Sequence, residues 1–285
     1  SLDLKAAATG TPVRIVSGSN TQDITVGTDW TGFISYTAGS TVMTVYGDII
    51  SFDCSNNGAN ISSLDVSQNT QLTELYCYGN QLSSLDLSNN TQLTKLDCYS
   101  NALTSLDVSN NTQLTMLYCY SNQLTALDVL HNTQLKELRC FSNRLTALDV
   151  SGCTQLKMLN CRSNELTALD VSECTQLKEL RCFSNRLTAL DVSNNTQLNK
   201  LICYDNNFST DALDDIYCAL PDRTGTTKGY IYPAYYSFSS NNATVIATNK
   251  TNATAKNWNV WYSANDTDIP TTGTYVCGTP HLDIY

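Results

Sequence analysis

Leucines return along the middle of the chain in a fixed frame. From residue 49 to residue 208 the pattern is L-x-x-L-x-C-x-x-N-x-L-x-x-L-D-V-S-x-N-T-Q, as at Leu72, Leu75, Cys77, Asn80, Leu82, Leu85 and Leu87, with Leu93 opening the next copy. The frame cysteines fall at 77, 98, 119, 140, 161, 182 and 203, each 21 residues after the last, and Cys54 precedes them by 23, leaving room for a two-residue insertion near Gly58. Eight copies result, and a fixed period of this kind decides the architecture before any single residue does. In L-x-C the leucine and the cysteine are two apart and point to one face, while the residues beside them point to the other. One copy cannot bury its own apolar side, but stacked copies share a continuous core. No proline occurs between Pro12 and Pro221, so nothing interrupts a parallel ladder. A 21-residue period is too short for a full helix after each strand, so L-D-V-S is expected to be a short extended or turn segment.

This frame resembles the leucine-rich repeat, L-x-x-L-x-L-x-x-N-x-L, with Cys in place of the third Leu. Cysteine at that position of a 21-residue repeat is similar to the cysteine-ladder class of internalin-like bacterial surface proteins. The Asn-Thr-Gln-Leu and Leu-Asp-Val-Ser phrasing is similar to secreted repeat proteins of gut Bacteroidetes. The resemblance implies a β-rich, α/β-type leucine-rich repeat solenoid of eight repeats, with L-x-C as the strand of a parallel concave sheet and the asparagines laddered along the following turn. It also implies a non-enzymatic binding or adhesion module.

The flanks read differently. Residues 1–48 alternate apolar positions, Val13 and Ile15, Ile24 and Val26, Phe33 and Tyr36, Val42 and Val45, which predicts short strands forming an N-terminal β cap on the solenoid of 49–208. The helical N-terminal cap of the internalins is not repeated here. After Phe208, Ser209 precedes Leu213, Ile216, Tyr217 and Leu220 at helical spacing, and Pro221 follows. That is a capping helix with its N-cap and stop. Residues 229–262, rich in Tyr, Thr, Val and Trp, are expected to be strands of a C-terminal cap over 209–263, with 264–285 a tail.

Composition narrows the function. The chain carries 26 acidic and 16 basic side chains, a net charge of −10 and a pI of about 4.5, which argues against nucleic acid or an anionic membrane as partner. No apolar run reaches the roughly 18 residues of a membrane span. Few charges amid much Asn, Thr, Ser and Tyr suit an extracellular or outer cell surface, with a lipoprotein leader as one route to anchoring.

Candidate chemistry is sparse. His131 and His281 have no nucleophile or acid beside them by motif and are read as solvated loop residues; no hydrolase, zinc or phosphate-loop motif occurs, so no catalysis, cofactor or metal is expected. The ladder cysteines are expected to be buried thiols, because strands about 4.8 Å apart hold neighbouring Cβ atoms too far apart for a disulfide. Cys153 and Cys174 replace the asparagine of other copies, Asn69, Asn90, Asn111, Asn132 and Asn195, and are read as structural, with a bridge between them as the alternative. Cys218 and Cys277 lie outside the repeats; they either pair, stapling the tail to the capping helix, or stay as thiols. The column Asp65, Asp86, Asp107, Asp128, Asp149, Asp170 and Asp191 lacks the glycine pattern of calcium repeats and is read as turn capping.

Recognition is expected where the frame is free to vary. Before each cysteine stand Asp53, Tyr76, Asp97, Tyr118, Arg139, Asn160, Arg181 and Ile202; after it stand Ser55, Tyr78, Tyr99, Tyr120, Phe141, Arg162, Phe183 and Tyr204. All point away from the core by alternation and are expected to add little to it. Tyr76, Tyr78, Asp97, Tyr99, Tyr118, Tyr120, Arg139, Phe141, Arg162, Arg181, Phe183 and Tyr204 are therefore the candidate ligand-binding residues. Eight basic residues between Lys136 and Arg186 predict a cationic patch among them. A protein partner, host or bacterial, is the first reading; a glycan stacked on the aromatics is the second, and a passive spacer the third. A monomer is expected.

Overall fold

The computed structural model describes residues 1–37, 39–40, 42–57, 61–236 and 242–278; Gly58 and His281 lie outside them. The chain divides into two compact units, residues 1–145 and 146–285.

The first unit holds β1 (Asp3–Ala6), β2 (Thr11–Ser17), β3 (Asn20–Val26), β4 (Val42–Tyr46), β5 (Ile49–Asp53), β6 (Ser63–Asp65), β7 (Glu74–Tyr76), β8 (Lys95–Asp97), β9 (Met116–Tyr118) and β10 (Glu137–Arg139). Its main sheet runs β1-β5-β7-β8-β9-β10, and a smaller sheet runs β3-β2-β4-β6. From β5 onward the strands are parallel and in register, with Leu75 beside Leu96, Leu96 beside Leu117 and Leu117 beside Leu138. β1 closes the free edge antiparallel to β5, placing Asp3 opposite Asp53. Leu2, Leu4 and Ala6 alternate inward there, a pattern the reading of the cap passed over. Val13, Ile15, Val26 and Val45 fill the cap, whereas Phe33 and Val42 are exposed and take no part in its core.

Each repeat strand spans three residues, and the turn after it is built the same way each time. Cys77, Cys98 and Cys119 donate their N–H groups to the carbonyls of Asp97, Tyr118 and Arg139 in the next turn, at 2.8–2.9 Å. Two residues later Ser100, Ser121 and Ser142 take left-handed φ of 51–54°. In the second copy Gly79 stands there instead, at φ 67°, and a Cβ on it would lie 2.5 Å from Oδ1 of Asn56, which holds the same place in the first copy at φ 51°. The following asparagine then turns inward. Asn101 Nδ2 donates to the carbonyls of Cys77 and Cys98, each at 3.0 Å, while its Oδ1 accepts from Leu82 N–H at 3.0 Å. These contacts satisfy backbone groups that a buried turn cannot leave unpaired.

A second inward asparagine column closes the other side of the repeat. Asn111 Nδ2 donates to the carbonyls of Leu87 (3.2 Å) and Asn90 (2.9 Å), while its Oδ1 is buried without a partner among the described residues, as are those of Asn69, Asn90 and Asn195. The position uses a donor and no acceptor, so a thiol can serve. In the second unit Cys174 Sγ lies 3.6 Å from the Val150 carbonyl in the same role. The aspartate column caps turns as expected: Asp65, Asp86, Asp107, Asp128, Asp149, Asp170 and Asp191 each accept the N–H two residues on, at 2.8–3.0 Å. That N–H and the hydroxyl of the same serine hold the carboxyls of Asp86, Asp149 and Asp170 below the ordinary range, and at Asp107 the Ser109 hydroxyl leads and its N–H follows.

The second unit holds β11 (Met158–Asn160), β12 (Glu179–Arg181), β13 (Lys200–Ile202), α1 (Thr210–Ala219), β14 (Gly229–Ala234), α2 (Asn242–Ile246), α3 (Thr251–Thr254), β15 (Trp258–Tyr262) and β16 (Thr267–Asp268). β11, β12, β13, β14 and β15 are successive parallel neighbours. The ladder thus runs two strands past the last leucine-rich copy. Ser209 Oγ caps α1 by accepting from Ala212 N–H at 3.1 Å. Within 229–262, expected to be strands, 242–246 and 251–254 are helical instead. The segment expected as a tail adds β16 to the sheet edge and carries Cys277, which is bonded to Cys218 across 59 residues with Cα atoms 5.5 Å apart. The remaining cysteines are buried thiols, and burial raises those of Cys77, Cys119 and Cys182 well above the ordinary range and that of Cys161 to about 12.

Candidate binding face

Alternation along each strand sets the outward rows. Leucine and cysteine face the core, so the residue between them and the residue after the cysteine face away. In the first unit the register aligns Asp3, Asp53, Tyr76, Asp97, Tyr118 and Arg139 as one row across six strands.

The row after the cysteines is a column of stacked rings. Tyr78–Tyr99, Tyr99–Tyr120 and Tyr120–Phe141 have centroids 4.4, 4.2 and 4.1 Å apart and ring planes within 8–11° of parallel. The second unit has its own column, Phe183–Tyr204 at 4.4 Å and Tyr204–Tyr235 at 5.2 Å. Arg162 covers the face of Phe183 at 5.3 Å, and burial lowers the guanidinium's proton affinity. These residues were expected to contribute little to the core, but each is half-buried by its neighbours. Inter-strand spacing explains this: a gap close to ring-stacking distance repeated in register brings every outward ring onto the next.

Burial also raises the hydroxyls of Tyr76, Tyr118 and Tyr120, aided at Tyr76 and Tyr118 by nearby glutamates, and that of Tyr204 to about 12. Three of the eight basic residues of the predicted cationic patch are held in ion pairs. Arg139 pairs with Glu137 at 2.5 Å and lies 4.5 Å over the Tyr118 ring, Arg181 pairs with Glu179 at 2.6 Å, and Arg186 pairs with Glu165 at 2.8 Å. For Glu137 with Arg139 and Glu179 with Arg181, the i, i+2 alternation that puts both on one face was legible in the sequence.

Asp97 departs from the expectation of an exposed contact residue. Only 7% of it is exposed, and burial raises its carboxyl to about 7. A hydrogen bond from the Tyr99 backbone opposes that rise, Asp53 adds to it, and Arg139 opposes it. Beside it, Asp3, Asp53, Tyr76, Tyr78 and the unforeseen Trp30 line an open recess of ≈ 480 Å³. A larger hollow of ≈ 830 Å³ on the cap sheet is lined by Pro12, Val16, Ile24 and the exposed Arg14–Asp23 ion pair, and holds no buried polar group aimed into it. His131 is exposed. Among the described residues no three His, Cys, Asp or Glu side chains are arranged to hold a metal ion.

A parallel ladder of three-residue strands, a 21-residue turn, an inward cysteine column and two inward asparagine columns define a leucine-rich repeat protein of the cysteine-ladder kind. Solved structures similar to it are internalin-type and other leucine-rich repeat proteins. A leucine-rich repeat protein of Leptospira interrogans is 26% identical over 56% of this chain and 44% of its own, with a TM-score of 0.53. An internalin (InlF) of Listeria monocytogenes is 23% identical over 61% and 56%, also at 0.53. The functional domain of InlJ from Listeria monocytogenes, described as including a cysteine ladder, is 31% identical over 67% of this chain and 52% of its own. Its TM-score of 0.46 is too low to carry the fold assignment, which rests on the other two. The chain spans about half the length of these three structures. No protein-family model matches it, and no curated protein is detectably similar in sequence. Among the described residues no helix is long and apolar enough to cross a membrane.

Proposed function

We propose that the chain is a secreted or surface-displayed adhesion module that recognises a protein partner through the outward rows of its strand ladder and catalyses no reaction. The observation that carries this reading is the stacked column Tyr78, Tyr99, Tyr120 and Phe141. Stacking covers the ring faces and leaves edges and hydroxyl ends to a ligand. A sugar needs an open ring face to lie on, so the column supports a protein partner over a glycan. Rigid aromatics bordered by arginine are also what protein recognition surfaces use. The Cys218–Cys277 bond supports an oxidising, extracellular setting.

The test keeps the stack and strips its polar edge. Tyr99→Phe, Tyr120→Phe and Arg139→Gln in one chain should weaken a partner identified by crosslinking and mass spectrometry more than tenfold, and Asp107→Asn with Asp128→Asn should not. The reverse result would place recognition on the aspartate column. Glycan-array binding with no protein captured would replace the protein reading by the glycan one.

A further inference from the structure

We propose that the recess formed by Trp30, Tyr76, Tyr78, Asp3, Asp53 and Asp97 receives an organic ammonium group, the lysine side chain of a protein partner. This rests on the ladder being a protein-binding face and adds the chemistry of one contact.

Strand register builds the recess. Asp53 and Asp97 flank Tyr76 on neighbouring strands, and Asp3 lies across from Asp53 on β1. Trp30 comes in from the cap and meets Tyr76 edge-on, with ring centroids 6.1 Å apart and planes at 61°. Two aromatic walls meeting at an angle, with carboxylates between them, attract a cation through both ring faces and formal charge. The chain already places one ammonium against this aromatic group. Lys5 Nζ, two residues along β1 from Asp3, lies 5.9 Å from the Trp30 ring centroid.

Asp97 points to an occupant independently of the acidic grouping. It is more than nine-tenths buried, and its Oδ1 has no hydrogen-bond partner among the described residues. A buried carboxylate oxygen left unpaired costs stability that an aspartate serving only the fold would not impose. The charged and titratable groups that act on it are Asp53 from β5, Tyr76 from β7, Tyr118 from β9, Arg139 from β10, and Tyr99 and Tyr120 from the turns that follow β8 and β9. Arg139 is already engaged by Glu137 and Tyr118.

Size and acceptor layout select the cation. Among the described residues no three carboxylates converge as a metal requires, and the ≈ 480 Å³ recess is far larger than a bare ion. The acceptors are single oxygens on separate walls. Asp53 Oδ1 takes both the N–H and the hydroxyl of Ser55, and Asp3 Oδ1 takes Thr31 Oγ1. Three rotatable donors on a point charge suit that layout better than the planar fork of a guanidinium, which needs paired oxygens.

The test titrates the whole chain with blocked Gly-Lys-Gly peptide while following the Trp30 indole N–H resonance, assigned with Trp30→Phe. Saturable millimolar binding is expected at pH 7.5, weaker at pH 5.5 because a proton then occupies Asp97. It should be absent with the norleucine peptide and at least tenfold weaker in Asp97→Asn. Equal shifts with norleucine, no effect of Asp97→Asn, tighter binding of Gly-Arg-Gly, or the same shift from calcium chloride at lower concentration would each overturn the proposal. The titration reads the recess alone. Its failure leaves the ladder reading standing, and a ladder that binds no protein beside a recess that titrates normally would remove only that reading.

Discussion

If the outward rings stabilise the fold by stacking on one another, truncating an inner ring must cost about twice as much as truncating an end ring. Tyr120 stacks on Tyr99 at 4.2 Å and on Phe141 at 4.1 Å. Tyr78 stacks on Tyr99 at 4.4 Å, and its row neighbour on the other side is Ser55. Each stacked pair contributes about 0.5–1.5 kcal/mol beyond area burial. Tyr120→Ala should therefore lose about 2 kcal/mol from stacking and Tyr78→Ala about 1. The pattern of coupling is more diagnostic than either single value. In double-mutant cycles Tyr99 with Tyr120, which touch, should couple by about 1 kcal/mol, whereas Tyr78 with Tyr120, separated by Tyr99, should be additive within about 0.5 kcal/mol. Tyr120→Phe keeps the ring and serves as the control, since Phe141 already stacks with no hydroxyl. Equilibrium urea unfolding followed by circular dichroism, compared by midpoints at constant slope, gives the numbers. Equal losses at Tyr78 and Tyr120, or additivity between Tyr99 and Tyr120, would refute stacking as the source of the stability.

Three other outcomes follow from the geometry. Asn111→Cys should be tolerated far better than Asn111→Asp, which puts a carboxylate against the carbonyls of Leu87 and Asn90 and should cost about 3 kcal/mol or more in urea midpoint experiments; equal losses would show that the column is not a donor column. Reducing Cys218–Cys277 should loosen the cap after α1 while the repeats keep their protection in hydrogen exchange, because closing 59 residues is worth about 4 kcal/mol on chain entropy; uniform loss of protection would contradict this. The Asp97 carboxyl is raised in the fold from its ordinary 3.8 to about 7, so in that window the folded chain binds a proton the unfolded chain does not, and stability falls as pH rises. Asp97→Asn should therefore be more stable than the parent at pH 8 and indistinguishable from it at pH 4; a parent more stable at pH 8 would disprove the burial cost.

The repeats were legible because their constraint is local and recurs: one inward leucine, one inward cysteine and one donor asparagine per turn leave the same mark every 21 residues. The helix at 210–219 was legible for the same kind of reason, an N-cap, a spacing and a proline. Strands were expected where β14 and β15 lie, but that they continue the parallel ladder escaped, because they extend it without the frame, held by Ile231 and Val260 where leucines had stood. The recess beside Asp97 escaped because no single stretch encodes it. Asp3 reaches Asp53 only through the antiparallel return of β1, and Trp30 arrives from a loop without a periodic signal. Alternation predicted which way Asp97 points but not that Tyr76 and its neighbours would enclose it.

Gly79 bears on how such a chain finds its register while folding. Turns this alike can pair one copy out of step, since leucine meets leucine and asparagine meets carbonyl after a shift of 21 residues. At the second copy the match is not fully interchangeable, for a Cβ in place of Gly79 would lie 2.5 Å from Asn56 Oδ1, so Ser100 or Ser121 set there would have to push the Asn56 amide aside. A skipped copy therefore has to displace a side chain near the start of the array, and a glycine that contributes nothing to the core becomes the counting mark from which the array is numbered.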